Sequence, residues 1–328
     1  METRIFGRTG MQTSLLGFGC GAVGGLMVRG GPADQERTIA EALDAGINYF
    51  DTAPLYGNGE SERNLGRIFK ALEPKNAIVG TKVRLRSSDL ANIAAAVAAS
   101  LDASLERLGM DRVDILHLHN TITSTGGGET IAAQQVLDDV VPALEAQRRS
   151  GKIGFLGVTA IGDTAALHQV IDSGAFDSAQ VVYNMLNPSA AGPATMKQGQ
   201  DYGALLQHTR AAGTGVVAIR VLAGGALSGS ADRHPIAGLP PAPIGSAASY
   251  ALDVEQARQL LPLVEEGYAE SLAEAAVRFA IVHAGVGTIL VGMATPDQFR
   301  QALAAVRKGP LSQAALDRLA ELRSRRAG

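Results

Sequence analysis

The sequence predicts an α/β protein: a closed (β/α)8 TIM barrel with an N-terminal β-hairpin and long loops at the C-terminal ends of the strands. Three observations carry this prediction. Eight short apolar runs alternate with helical stretches almost to the end of the chain. Most of those runs are continuously apolar, as parallel strands covered on both faces should be. No linker-like stretch divides the 328 residues, which suits one barrel domain over residues 1–328 with insertions.

In chain order, residues 2–14 place Gly7 and Gly10 between short alternating runs and predict the hairpin. Strands are predicted at 15–18, 47–50, 77–81, 113–118, 154–158, 178–183, 216–219 and 288–291. Helices are predicted after Asp34, Glu60, Leu90, Gln134, Thr164, Asp201, Glu255 and Pro296, with a surface helix over 313–326. The glycine-rich segment 19–31 and the loops 120–130, 184–200 and 224–250 all follow strands. Loops of this length on a rigid scaffold predict a rim that encloses a substrate.

Composition narrows the function classes. Hydrophobic residues make up 46% of the chain, enough for a large core, and the net charge of -3 gives no reason to expect nucleic acid or an anionic membrane as partner. A single cysteine, Cys20, rules out an internal disulfide. Glu2, Arg4 and Arg8 interrupt any signal-peptide pattern, and no apolar run approaches the roughly 20 residues that span a bilayer. A soluble, cytoplasmic protein of unknown oligomeric state is expected, acting on a small molecule.

In a barrel of this kind, chemistry sits on the loops after the strand C-terminal ends. Asp51 ends the second predicted strand, Lys82 follows the third and His119 the fourth, while Tyr56 stands in the turn-rich loop 54–59. A free tyrosine does not donate a proton near pH 7, because its pKa is about 10. A buried Lys82 ammonium would favour the phenolate and lower the Tyr56 pKa, and Asp51 would hold the lysine charged. His119 would orient a substrate oxygen or help relay a proton. The set suits proton delivery to a carbonyl oxygen as hydride reaches its carbon, or the reverse oxidation. His117, on the same side of its strand as His119, raises the alternative of a metal-dependent barrel hydrolase. The remaining histidines, His168, His208, His234 and His283, supply no matching strand end, so a packed barrel histidine and no metal are expected.

Several ordered motifs then identify a resemblance. They are Gly46-Ile47-Asn48-Tyr49-Phe50-Asp51-Thr52-Ala53 with Tyr56-Gly57, Gly80-Thr81-Lys82, and Asp114-Ile115-Leu116-His117-Leu118-His119. Gly151-Lys152-Ile153 with Gly157-Val158, and Gln180-Val181-Val182-Tyr183-Asn184, complete them. From the opening hairpin to about Leu303 the chain resembles the aldo-keto reductase family, loosely its bacterial sugar dehydrogenase branch. The resemblance implies a catalytic tetrad of Asp51, Tyr56, Lys82 and His119, with Tyr56 as general acid.

It also implies a nicotinamide cofactor across the barrel mouth, with NADP(H) favoured and NAD(H) as the alternative. Thr159 and Gln180 occupy positions that bind the carboxamide, although Thr159-Ala160 stands where the family commonly has Ser-Asn. Ile219 replaces a stacking aromatic, so the ring would be held instead around Tyr183 or Asn184. Arg220, Leu222 and Gly224 lie in the turn that wraps the pyrophosphate; Gly21, Gly292, Met293 and Gln298 are further cofactor positions. Lysine and arginine near the last strand grip the 2′-phosphate in NADP-specific relatives, and here only Arg300 is at hand. The start of the last helix would add backbone N–H groups. Met27, Arg29, Met185 and Met196 are candidate pocket walls for a bulky oxygenated ketone or a sugar. Because some relatives serve as regulatory subunits, a cofactor-binding role without turnover is a further alternative.

Overall fold

The computed structural model describes residues 1–192 and 199–327. Eight parallel strands close into a barrel: β1 (Leu16–Gly19), β2 (Tyr49–Asp51), β3 (Ile78–Val83), β4 (Val113–Leu118), β5 (Ile153–Ala160), β6 (Ser178–Val182), β7 (Gly215–Ile219) and β8 (Val286–Gly292). Each pairs with its sequence neighbour, and β8 returns to β1 with Gly292 opposite Gly19. The ordered barrel and its hairpin match the sequence prediction.

The two faces of each strand carry different loads. On β2, Phe50 points outward and meets Phe18 and Phe69 at ring-centroid distances of 5.9 and 5.0 Å. Burying one such ring stabilises the fold by about 1.5–3 kcal/mol. Its neighbours Tyr49 and Asp51 point inward. Phe6, Tyr49, Ile78, Ile115 and Val217 form an apolar cluster of their own inside the barrel. The hairpin Thr3–Ile5 with Gln12–Ser14 brings the fully buried Phe6 up against Tyr49, 6.1 Å between ring centroids, and so seals the barrel floor.

Among the described residues the α-helices longer than one turn are α1 (Pro32–Asp44), α2 (Glu60–Leu72), α3 (Ile93–Leu108), α4 (Val141–Arg149), α5 (Thr164–Asp172), α6 (Leu205–Ala211), α7 (Tyr250–Arg258), α8 (Leu272–Ala280), α9 (Pro296–Arg307) and α10 (Gln313–Ala327). The sequence prediction omitted α8. Leu272, Ala275, Ala276, Phe279 and Ala280 are buried at helical spacing, so the pattern was present but lay hidden in an alanine-rich run. The loop after β7 holds α7 as an additional helix before α8. Among the described residues no helix is long and apolar enough to cross a membrane.

Candidate active site

The barrel brings the four predicted residues to one end. Asp51 closes β2, Lys82 stands next to last in β3, and His119 directly follows β4. Tyr56 sits in the turn before α2, held by hydrogen bonds from its amide to Ala53 O and from Ser61 N to its carbonyl. Ser61 Oγ contacts Thr52 Oγ1 at 2.8 Å and donates to Cys20 O, tying this turn to β1 and β2. Glu62 accepts from Thr81 Oγ1 and Arg107 Nε, both at 2.6 Å. That buried carboxylate bolts α2 to the strand that carries Lys82, a connection the sequence reading missed.

Lys82 is 1% exposed. Its Nζ donates to Asp51 Oδ2 at 2.5 Å and to Thr52 O at 2.8 Å, and lies 4.8 Å from the centroid of the Tyr56 ring. The His119 ring stands edge-on to Tyr56, 6.1 Å away and inclined at 89°. Burial works against the Lys82 ammonium, but Asp51 and Tyr56 outweigh it and raise the lysine pKa above its ordinary value. For Tyr56 the balance falls the other way. Burial raises its pKa, and the opposing pull of Lys82 is too weak to reverse it. The expected net lowering is therefore absent, because enclosure opposes the phenolate more strongly than one cation favours it. Tyr56 is a protonated phenol at neutral pH.

Burial, then Lys82 and Arg84, push the His119 pKa down to about 3, so its imidazole is neutral. His117 is also held neutral, well below the ordinary value, by burial and by Lys82. A neutral buried histidine binds its proton more readily in the unfolded chain. The stability it lends is present above the unfolded pKa of about 6.5 and drains away as pH falls toward its folded pKa. The unfolding free energy is expected to fall by up to about 1.4 kcal/mol per pH unit for each such histidine below pH 6.5. Urea unfolding of wild type and His119→Gln at pH 7 and pH 5 checks this: the variant should lose less stability over the interval.

His117 lies fully buried inside the barrel, its Nε2 3.0 Å from Ser178 Oγ. A Cβ on Gly157 would stand 2.3 Å from its ring, so only glycine on β5 leaves the imidazole room. Among the described residues no three His, Cys, Asp or Glu side chains gather where they could hold a metal.

The predicted cofactor residues divide into groups. Thr159 and Gln180 are neighbours across β5 and β6 and both face the barrel mouth, where Gln180 Nε2 donates to Asp51 Oδ1 at 2.5 Å. Arg220 follows β7 in a left-handed conformation, φ 57°, beside Leu222 and Gly224. Its guanidinium is half-buried and forms no ion pair among the described residues; burial lowers its pKa, opposed first by the nearby Tyr56 hydroxyl. A Cβ on Gly224 would meet Pro241 Cγ at 2.6 Å and Arg220 Nη1 at 3.1 Å, so glycine lets the turn close on the arginine. Gly21 lies near the Tyr56 ring, and Gly292 is exposed at the end of β8. A nicotinamide dinucleotide needs a cation for its phosphates and bare backbone to lie against. Arg220 and the two glycines fit both requirements.

The structure places the remaining candidates as follows. Tyr183 points out of the barrel, buried against Phe279 at 4.9 Å between centroids, and cannot hold a ring at the mouth. Met293 is buried, and its carbonyl accepts from Leu26 N. Gln298 caps α9: its Oε1 accepts from Ala294 N and its own amide donates to Thr295 Oγ1. With Pro296 lacking an N–H, few free donors remain at that helix start. Arg300 is paired with Glu41 at 2.6 Å and Asp297 at 2.7 Å. Of the pocket-wall candidates, Met27 and Met185 are buried in the core, and Met196 lies outside the described residues. Arg29 donates to Ile236 O and Ala22 O, while Arg233 donates to Val23 O, Gly224 O and Gly238 O. These two arginines strap the loop after β7 onto the loop after β1.

Comparison with known proteins adds to this geometry. A family model described as the Aldo/keto reductase family matches residues 15–324. The chain is 29% identical over 310 residues to the L-galactose dehydrogenase of Arabidopsis thaliana, covering 93% of this chain and 88% of that protein. It is 25% identical over 333 residues to the pyridoxal 4-dehydrogenase of Microbacterium luteolum, covering 92% and 91%. Among solved structures, the holo form of aldo-keto reductase AKR11C1 from Bacillus halodurans superposes with a TM-score of 0.72 at 24% identity, covering 98% of this chain and 96% of that one. This last likeness bears on the fold alone.

Proposed function

Because the chain belongs to the aldo/keto reductase family, and is on that ground an NAD(P)-dependent oxidoreductase, we propose that it reversibly reduces an aldehyde or ketone to an alcohol at the mouth formed by Asp51, Tyr56, Lys82 and His119. The observation that carries this reading is the buried Lys82 ammonium, 2.5 Å from Asp51 and 4.8 Å from the centre of the Tyr56 ring. The bound nicotinamide supplies the hydride, or accepts it in the reverse direction. Tyr56, protonated at neutral pH, gives its phenolic proton to the carbonyl oxygen. Lys82 stabilises the phenolate that remains, and Asp51 keeps the lysine charged. The neutral His119 orients the carbonyl oxygen by hydrogen bonding, without adding a charge that would compete with Lys82. Arg220, Gly21 and Gly292 hold the dinucleotide.

The substrate we infer is a bulky oxygenated ketone. Exposed aliphatic side chains lie on the loops after three strands, Val23, Leu55 and Leu239, the last 90% exposed. A second reading is oxidation of an aldose at its hemiacetal carbon, and the name of one long-matching relative, L-galactose dehydrogenase, favours it. The test is a fluorescence titration with NADPH and NADH, followed by turnover of ketones and aldoses in both directions. Turnover with either cofactor is expected; binding of neither would overturn the reading. Binding without turnover on any substrate would favour a regulatory subunit.

Cofactor choice rests on two arginines. Equal loss of NADPH and NADH affinity in Arg220→Ala places that residue at the pyrophosphate, which is the outcome we expect. By resemblance, Arg300 is the side chain nearest the 2′-phosphate position, and in this chain two carboxylates share it. Such exposed pairs are worth at most about 1 kcal/mol. The double change Glu41→Gln with Asp297→Asn removes two such pairs and is therefore expected to tighten NADPH by roughly thirtyfold at most and to leave NADH unchanged. Parallel titrations of the two cofactors check this.

A further inference from the structure

We propose that Gln180 is a positioning residue for the proton-delivery machinery: it reaches across the barrel interior and holds the second oxygen of the Asp51 carboxylate, keeping that group ionised and aimed at Lys82. The proposal rests on the oxidoreductase reading of the same site, and it gives Gln180 a task distinct from contact with a cofactor.

The contact spans the barrel. In the ring β6-β7-β8-β1-β2-β3-β4-β5, the strands carrying Gln180 and Asp51 stand four places apart, directly across from each other. Gln180 Nε2 nevertheless lies 2.5 Å from Asp51 Oδ1, with both residues buried. The chemistry fixes which end of the amide faces the acid. An ionised carboxylate only accepts, so the nitrogen must point to Asp51 and the oxygen must point away. That oxygen has its own partner, Thr159 Oγ1 at 3.4 Å, on the adjoining strand. Asp51 is thus held at both oxygens, by Lys82 on Oδ2 and by Gln180 on Oδ1.

Two donors matter because burial favours the neutral acid. Burial raises the Asp51 pKa, and the opposing pull comes from Lys82 and then from the Gln180 hydrogen bond. The titratable groups that face Asp51 are Cys20 after β1, Tyr49 and Tyr56 from β2 and its loop, Lys82 from β3 and His117 from β4; His119 and Arg220 stand beyond them, against Lys82 and Tyr56. Among the described residues of this set only Lys82 hydrogen-bonds the Asp51 carboxylate, so removing Gln180 leaves Oδ1 without its donor. Protonation of Asp51 then occurs at higher pH and releases the lysine from its charge partner.

Gln180→Met keeps length and bulk while deleting the donor. Hydrogen bonds to a charged group contribute about 1.5–3 kcal/mol, which converts to one or two pH units. The acid limb of kcat/KM is expected to move up by about one pH unit or more, and kcat to fall roughly tenfold or more. The cofactor dissociation constant should stay within about threefold of wild type, since both ends of the Gln180 amide are engaged within the protein, by Asp51 and by Thr159. Thr159→Val, which removes only the brace on Gln180, should shift the limb the same way by less. A ligand-free crystal structure of Gln180→Met should show the Asp51 carboxylate turned away from its wild-type orientation. The proposal is overturned if the variant loses cofactor affinity while its pH profile and its Asp51 orientation stay those of wild type. Should wild type turn over no carbonyl or alcohol, the oxidoreductase reading fails by itself, and the pair of crystal structures still decides what Gln180 holds.

Discussion

Replacing Tyr56 by phenylalanine is expected to lower kcat by roughly a hundredfold to ten-thousandfold, the usual worth of a positioned general acid. The change removes one oxygen and leaves the ring, so its edge-on packing against His119 should persist. Because the lost interaction exists only as the proton moves, kcat and kcat/KM should fall together while cofactor affinity stays near wild type. Steady-state kinetics beside a nicotinamide titration separates the two. A variant that keeps more than about a tenth of wild-type kcat would remove Tyr56 from the acid role.

Lys82→Met is expected to damage stability as well as activity. It leaves Asp51 buried in the barrel without its cation, and breaking one side of a buried ion pair destabilises by about 3–5 kcal/mol. Asp51→Asn on the same background removes the uncompensated charge and should restore most of that loss. Activity should not return, because nothing then stabilises the Tyr56 phenolate. Denaturant unfolding of wild type, Lys82→Met and the double variant measures the first part, and turnover the second. If the double variant were no more stable than Lys82→Met, the Lys82–Asp51 contact would not be the buried ion pair that the 2.5 Å separation implies.

These two predictions depend on residues that the sequence exposed and on surroundings it did not. Strands such as 113–118 are readable because both faces of a barrel strand are covered, which makes the run apolar throughout. Asp51, Lys82 and His119 are readable because each stands where such a run ends, and the barrel makes all strand ends neighbours. The contact between Gln180 and Asp51 was not readable, since it crosses between opposite strands and leaves no periodic trace in the chain. Nor was the direction of the Tyr56 pKa, which depends on how completely the mouth encloses the phenol; the cation could be found by motif, but the burial that outweighs it could not. Tyr183 was misplaced because it is one residue beyond β6, where a single step along a strand turns a side chain from the interior to the helix layer. The capping role of Gln298 was not readable either, because capping and anion binding draw on the same helix-terminal amides.

The most direct test of the central claim follows the hydride itself. Reduced cofactor carrying deuterium at the transferable C4 position would be mixed with wild-type protein and a carbonyl substrate under single-turnover conditions, and the product alcohol analysed by mass and NMR. Deuterium is expected on the former carbonyl carbon, with the oxygen's proton exchangeable with solvent. An unlabelled product, or label retained on the cofactor although it binds, would contradict hydride transfer at this mouth.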